Sequence, residues 1–136
     1  TPSIYKKVIQ LEEKGYISST MVKEGKMAEK AVYSLTDAGG AEFEKLMGDI
    51  AAKPIHIFLD FNAVIVNLDS LPPEKQKRCL DNIEHNVITM KANLEENIAR
   101  KKDMPEIPET GKAVLQQQYI LIQAIETWIA SLKRKF

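Results

Sequence analysis

The side chains of this sequence that could do chemistry fall into several sets, and spacing eliminates most of them. A structural zinc site takes ligands in local pairs, yet no Cys or His stands three or four residues from His56 or His85. Glu84-His85 could join only a distant ligand, and a solvated or hydrogen-bonded histidine is the simpler reading. The one cysteine, Cys79, adjoins an apolar stripe beginning at Leu80 and reads as a packed or partly exposed thiol. Asp60, Asp69, Asp81 and Glu84 come without a nucleophile motif or a metal motif, and Gly39-Gly40 lacks the strand-and-lysine context of a phosphate cradle. These carboxylates are the acidic face of a helical domain. The sequence therefore predicts no enzyme, no cofactor and no metal. One set survives: Ser3, Tyr5, Lys6 and Lys7 crowd one helical turn, and Lys23, Lys26 and Lys30 follow on a polar stretch. Hydroxyls and ammonium groups at a helix start can donate to phosphate oxygens or base edges, and the helix N-terminus itself favours anions. Taken alone, the same residues also describe a solvated Lys/Glu helix and an ordinary hairpin.

The elements that must hold these groups can be read from pattern. Ile4, Val8 and Leu11 recur at helical spacing, with Tyr5 and Ile9 on the flanks; Thr1 is placed to cap this helix, Pro2 to open it and Gly15 to stop it. Residues Tyr16–Lys23 and Lys30–Leu35 read as two strands around a basic turn at Glu24-Gly25-Lys26. Thr36 caps a following helix with Asp37 in its first turn, and Gly39-Gly40 implies a need for small residues or close packing, since each glycine costs about 1 kcal/mol there. From Pro54, the spacing of Phe58, Phe61, Val64, Ile65 and Leu68 predicts a helix, although IHIFL and AVIV would also suit strands. After Leu71-Pro72-Pro73 a long helix should run to about Lys101 on a narrow stripe of Leu80, Ile83, Val87, Met90, Leu94 and Ile98. Beyond a loop with Pro105 and Pro108, a last helix from about Gly111 to Lys133 carries Leu115, Ile122, Ile125, Ile129 and Leu132 on one face, with Val114, Leu121 and Trp128 beside it. That arc is wider than one neighbouring helix covers, which predicts a homodimer with Leu115, Leu121, Ile122, Ile125, Trp128, Ile129 and Leu132 at the contact.

Composition agrees with a folded domain: 136 residues, 44% hydrophobic and 28% charged, with 19 basic and 19 acidic side chains. No apolar run approaches the roughly 18 residues of a membrane span, the longest being broken by His56, Asp60 and Asn62. A single cysteine fits a cytoplasmic protein rather than a disulfide framework. The charge is unevenly spread. Residues 1–33 hold six lysines against four glutamates, a net of +2, and Lys133-Arg134-Lys135 adds +3; the intervening residues 34–132 carry ten basic against fifteen acidic groups, a net of −5.

The string TPSIYKKVIQLEEKGYI, followed at a wing's distance by KAVYSLTDAGGAEF, resembles the PadR family of bacterial transcriptional regulators. The resemblance rests on Tyr5, Leu11-Glu12, Gly15 and Ile17, then Tyr33, Leu35, Thr36 and Gly39, and spans about the first third of the chain. It also extends to the helical C-terminal part of one PadR subgroup through Glu126-Thr127-Trp128. It implies a mainly α fold: a partial winged helix, made of a recognition helix and a β-hairpin wing, then an all-helical dimerisation domain. The expected boundaries are 1–53 for the DNA-binding domain with its linker helix and 54–136 for the dimerisation and effector domain. The family's winged helix has two helices before the recognition helix, so the chain reads as N-terminally truncated. The implied function is a homodimeric repressor of operator DNA that answers to a small-molecule effector, with Ser3, Tyr5, Lys6, Lys7, Lys23, Lys26 and Lys30 as the DNA-binding residues. The alternative is a helical protein-interaction module without DNA-binding activity.

Overall fold

The computed structural model describes residues 3–136. The elements are α1 (Ile4–Glu13), β1 (Ile17–Val22), β2 (Lys30–Leu35), α2 (Asp37–Ala51), α3 (Asn62–Val66), a 3-10 turn (Leu68–Ser70), α4 (Pro73–Lys101) and α5 (Glu109–Lys135). The fold is mainly helical with one two-stranded antiparallel hairpin. It divides into two compact units, residues 1–57 and 58–136.

Capping and turn chemistry shape the first unit. Ser3 caps α1, its hydroxyl oxygen accepting from the Lys6 backbone N–H at 3.3 Å; the expected cap at Thr1 and Pro2 lies outside the described residues. At the other end Gly15 takes φ +79°, the Gly15 N–H donates to the Glu12 carbonyl and the Tyr16 N–H to that of Leu11. This is a Schellman closure, which glycine allows without a Cβ penalty. The chain turns directly into β1, which pairs with β2 from Ile17↔Leu35 to Val22↔Lys30. Thr36 then ties three elements together. Its hydroxyl donates to the Gly15 carbonyl at 2.6 Å and accepts from the Gly39 N–H at 3.0 Å, while its own N–H donates to Tyr16 at 3.1 Å. That closeness explains one of the two adjacent glycines. A Cβ on Gly39 would overlap the Tyr16 carbonyl oxygen and meet the Leu35 side chain, whereas one on Gly40 would find only ordinary contact with Leu35.

The second unit is an antiparallel hairpin of two long helices. Leu80, Val87 and Leu94 on α4, seven residues apart, are buried against Ile122 and Ile129 on α5. Leu68 joins the cluster of Leu80 and Ile129, with Val64, Ile65, Ile83 and Leu132 packed on it. Each such burial stabilises by about 1.5–3 kcal/mol, so these few contacts hold the unit. Register is set by polar pairs across the helices: Lys133 with Asp81 at 2.7 Å and Glu84 at 2.8 Å, Lys91 with Glu126 at 2.9 Å, and the Tyr119 hydroxyl donating to Glu95 at 3.1 Å. The hydrogen bond to Glu126 raises the Lys91 ammonium, and desolvation followed by the bond to Glu95 raises the Tyr119 phenol.

One expected element is much shorter than its pattern. The helix anticipated from Pro54 to about Leu68 is present only at Asn62–Val66, with the 3-10 turn after it. Helix initiation is costly and short helices depend on tertiary burial. Val64, Ile65 and Leu68 have the Leu80 and Ile129 cluster to pack on, but Ile55, Ile57 and Phe58 remain 90%, 70% and 85% exposed, so nothing offsets that cost upstream.

Candidate nucleic-acid interface

The residues that the sequence offers as candidates for phosphate contact lie at the start of α1 and on the hairpin, and both are surface features of the first unit. Tyr5, Lys6 and Lys7 are exposed on the first turns of α1. Ser3 is exposed too, but its oxygen is engaged as the helix cap. Of the four helices of ten or more residues, α1 alone has no acid in its first turn; α2, α4 and α5 carry Asp37, Glu74 and Glu109 there. An uncompensated N-terminus flanked by lysines attracts anions from outside the chain.

The three hairpin lysines converge through the strand register. Val22 faces Lys30 at the last pair, so Lys23 and Lys30 flank the mouth of the loop and Lys26 follows Gly25, which turns the tip at φ +58°. Glu24 and Glu29 share the loop, leaving the tip at +1. Among the described residues, none of Lys6, Lys7, Lys23, Lys26 and Lys30 is in a salt bridge. These side chains are available to phosphate.

The seven α5 residues expected at a dimer contact separate into two groups. Ile122 and Ile129 are 5% and 0% exposed inside the protomer, and Leu115, Ile125 and Leu132 are half-buried, with Ile125 and Leu132 packed on the clusters shared with α4. Ile129 has no surface to offer a partner. Leu121 and Trp128 are 45% and 37% exposed, with Val114, one heptad earlier, at 54%. α5 therefore carries two seven-residue stripes. The stripe of Leu115, Ile122 and Ile129 faces α4, and that of Val114, Leu121 and Trp128 stays about half exposed, with Trp128 the most covered of the three. Trp128 stacks one face on Phe61, with centroids 5.8 Å apart and planes at 19°, a contact that helical spacing within α5 could not reveal.

Two other features bear on ligands. A cleft of about 470 Å³ lies where α4 ends and α5 begins, lined among others by Ile98, Lys101, Lys112 and Leu115; Lys112 donates there to the Lys102 carbonyl at 3.1 Å. Cys79 is half-buried and free. Among the described residues no cluster of three metal-ligating side chains occurs, and no helix is long and apolar enough to cross a membrane.

A helix followed by a two-stranded hairpin, then a further helix and a long helical hairpin, is the element order of a winged-helix fold with a helical C-terminal part. No family model matches the sequence, and no curated relative does. Among solved structures, the chain is similar to Bacillus subtilis PadR in complex with operator DNA, with a TM-score of 0.79 at 19% identity, over 98% of this chain and 77% of that one. It is also similar to a PadR-like transcriptional regulator from Bacillus cereus, with a TM-score of 0.63 at 19% identity over 97% and 73% of the two chains. The virulence activator AphA of Vibrio cholerae aligns at a TM-score of 0.61 and 19% identity, over 97% and 75%. The fold is that of PadR and PadR-like regulators.

Proposed function

We propose that the chain is a PadR-type transcriptional regulator, a DNA-binding protein and not an enzyme, which acts as a homodimer in the cytoplasm and represses by occupying its operator. The observation that carries this reading is the fold shared with PadR over 98% of the chain, joined to an α1 whose first turn is exposed, basic and free of acids. In this reading residues 1–53 read DNA and residues 54–136 dimerise. The start of α1 enters the major groove, where Lys7 reaches phosphate or a base edge. Ser3 holds the helix start in shape, and Tyr5 and Lys6 flank it. Lys23, Lys26 and Lys30 follow the backbone beside it. One protein of this fold is an activator, so the sign of regulation depends on where the operator lies in the promoter, and a reporter fused to that promoter tests repression.

An exposed apolar stripe on α5 supports the second copy. The stripe of Val114, Leu121 and Trp128 has the seven-residue repeat of a helix-to-helix seam. Dimerisation fixes the separation of the two α1 helices, and a small-molecule effector acts by changing it.

Binding to duplex DNA across a salt series tests the reading. Lys26→Ala should weaken operator and random duplex alike and lower the salt slope by about one unit, while Lys7→Ala should also change sequence preference. Salt-insensitive binding, equal for all three proteins, would remove DNA reading from this surface.

A further inference from the structure

We propose that the end of the helical hairpin where α4 begins and α5 finishes is a second polyanion-binding surface, which takes the phosphate backbone of duplex DNA. The inference rests on the DNA-binding reading above and adds a contact from the second unit. Pro73, Gln76 and Lys77 of α4 line a common hollow with Lys133 and Phe136 of α5, so the first turns of one helix lie beside the last turn of the other. Six cations gather there: Lys75, Lys77, Arg78, Lys133, Arg134 and Lys135. The carboxylates that could neutralise them, Asp81 and Glu84, are both engaged by Lys133. That leaves five exposed cations, none in a salt bridge among the described residues, and six cations against the three carboxylates of Glu74, Asp81 and Glu84 give the patch a net charge of +3.

Helix electrostatics do not account for this concentration. A helix end carries about half an elementary charge, so three cations exceed what the last turn of α5 calls for. At the start of α4 Glu74 already answers the dipole, and Lys77 and Arg78 lie beyond the first turn, where the dipole calls for neither sign. Exposed cations in excess of what either helix end calls for, and in no salt bridge among the described residues, point to an anion from outside the chain. Duplex DNA fits better than a lipid surface. Residues 73–84 and 129–135 contain none of the exposed large hydrophobic side chains that a membrane-inserting face needs, and Phe136 is the only one next to the patch.

The test is fluorescence anisotropy of the chain with a random-sequence duplex, between about 50 and 200 mM salt. Three proteins are compared: the unaltered chain, a patch variant (Lys75→Gln, Arg78→Gln, Arg134→Gln and Lys135→Gln together) and a wing variant (Lys23→Gln, Lys26→Gln and Lys30→Gln together). Patch substitution should lower the salt slope by about two to four units and weaken binding about tenfold or more, without moving the thermal midpoint, since no salt bridge is removed. An unchanged slope in the patch variant with a reduced slope in the wing variant would overturn this inference and leave the first unit's role standing. No duplex binding by the unaltered chain would overturn both. Patch-dependent binding to vesicles of phosphatidylserine and phosphatidylcholine in place of duplex would assign the surface to lipid and overturn the proposal.

Discussion

The two units of this protein are stabilised in opposite ways. Every buried large hydrophobic side chain, from Leu68 to Ile129, lies in the second unit. In the first, none of the α1 residues is buried, both strands are exposed over most of their length, and Gly39 is the one buried position of α2. A hydrophobic cluster holds the helical hairpin, whereas the first unit is held by backbone hydrogen bonds, a Schellman turn and one threonine. Where side chains stay outside, local geometry has to supply the order that burial would otherwise give.

The sharpest way to break the contrast is at Ile129. Ile129→Ala removes a fully buried side chain and should destabilise the second unit by about 2–5 kcal/mol in urea unfolding. Leu121→Ala, about two turns and a face away, should leave protomer unfolding nearly unchanged and raise the dimer dissociation constant in sedimentation experiments by about tenfold or more. Equal effects of the two on protomer stability would mean that the outer stripe is also core.

The same logic in the first unit selects Gly39. Gly39→Ala should loosen the α2 start from the Tyr16 carbonyl at a cost of several kcal/mol, the clash being with backbone that cannot turn away. Gly40→Ala should be neutral or stabilising by about 0.5–1 kcal/mol. Hydrogen exchange at the hairpin amides separates them. Thr36→Ala should cost about 1–2 kcal/mol by the same readout, with Thr36→Ser restoring most of it.

These positions show what could be read in advance. The stripe of Leu80, Ile83, Val87, Leu94 and Ile98, the hairpin and the Thr36 cap are legible because each is encoded by local spacing or by one residue's hydrogen bonding, although Met90, which the spacing places on the same stripe, is 50% exposed. Three things are not. Helical spacing shows that α5 is apolar over a wide arc, but which stripe meets α4 and which stays outside depends on tertiary contact, so spacing alone groups Ile122 and Ile129 with Leu121 and Trp128. The pair Gly39-Gly40 is visibly unusual, yet only the approach of Tyr16 says which member matters. The pattern from Pro54 carries helical spacing without a partner for its first half, and periodicity does not report partners.

The smallest effect expected is the pH response of the register pairs. The hydrogen bond from Lys133 holds the Asp81 carboxyl below its ordinary value of 3.8, so its contribution is present above that pH and is lost as pH falls through the lowered value. Hydrogen bonds to Asp81 and Glu84 raise Lys133 above 10.5, so its contribution is present below 10.5 and is lost as pH rises through the raised value. Urea midpoints of the unaltered chain should therefore fall below about pH 4 more steeply than those of Asp81→Asn. Parallel curves would show that the pair contributes nothing measurable.

Selection of bound duplexes from a random-sequence pool by the purified chain tests the central claim most directly. A dimer that presents two α1 helices should enrich inverted repeats whose half-sites lie about 10 bp apart, one turn of DNA, and Lys7→Ala should alter the sequence preferred within each half-site. A pool that emerges without enrichment, or with sites lacking two-fold symmetry, would contradict the account.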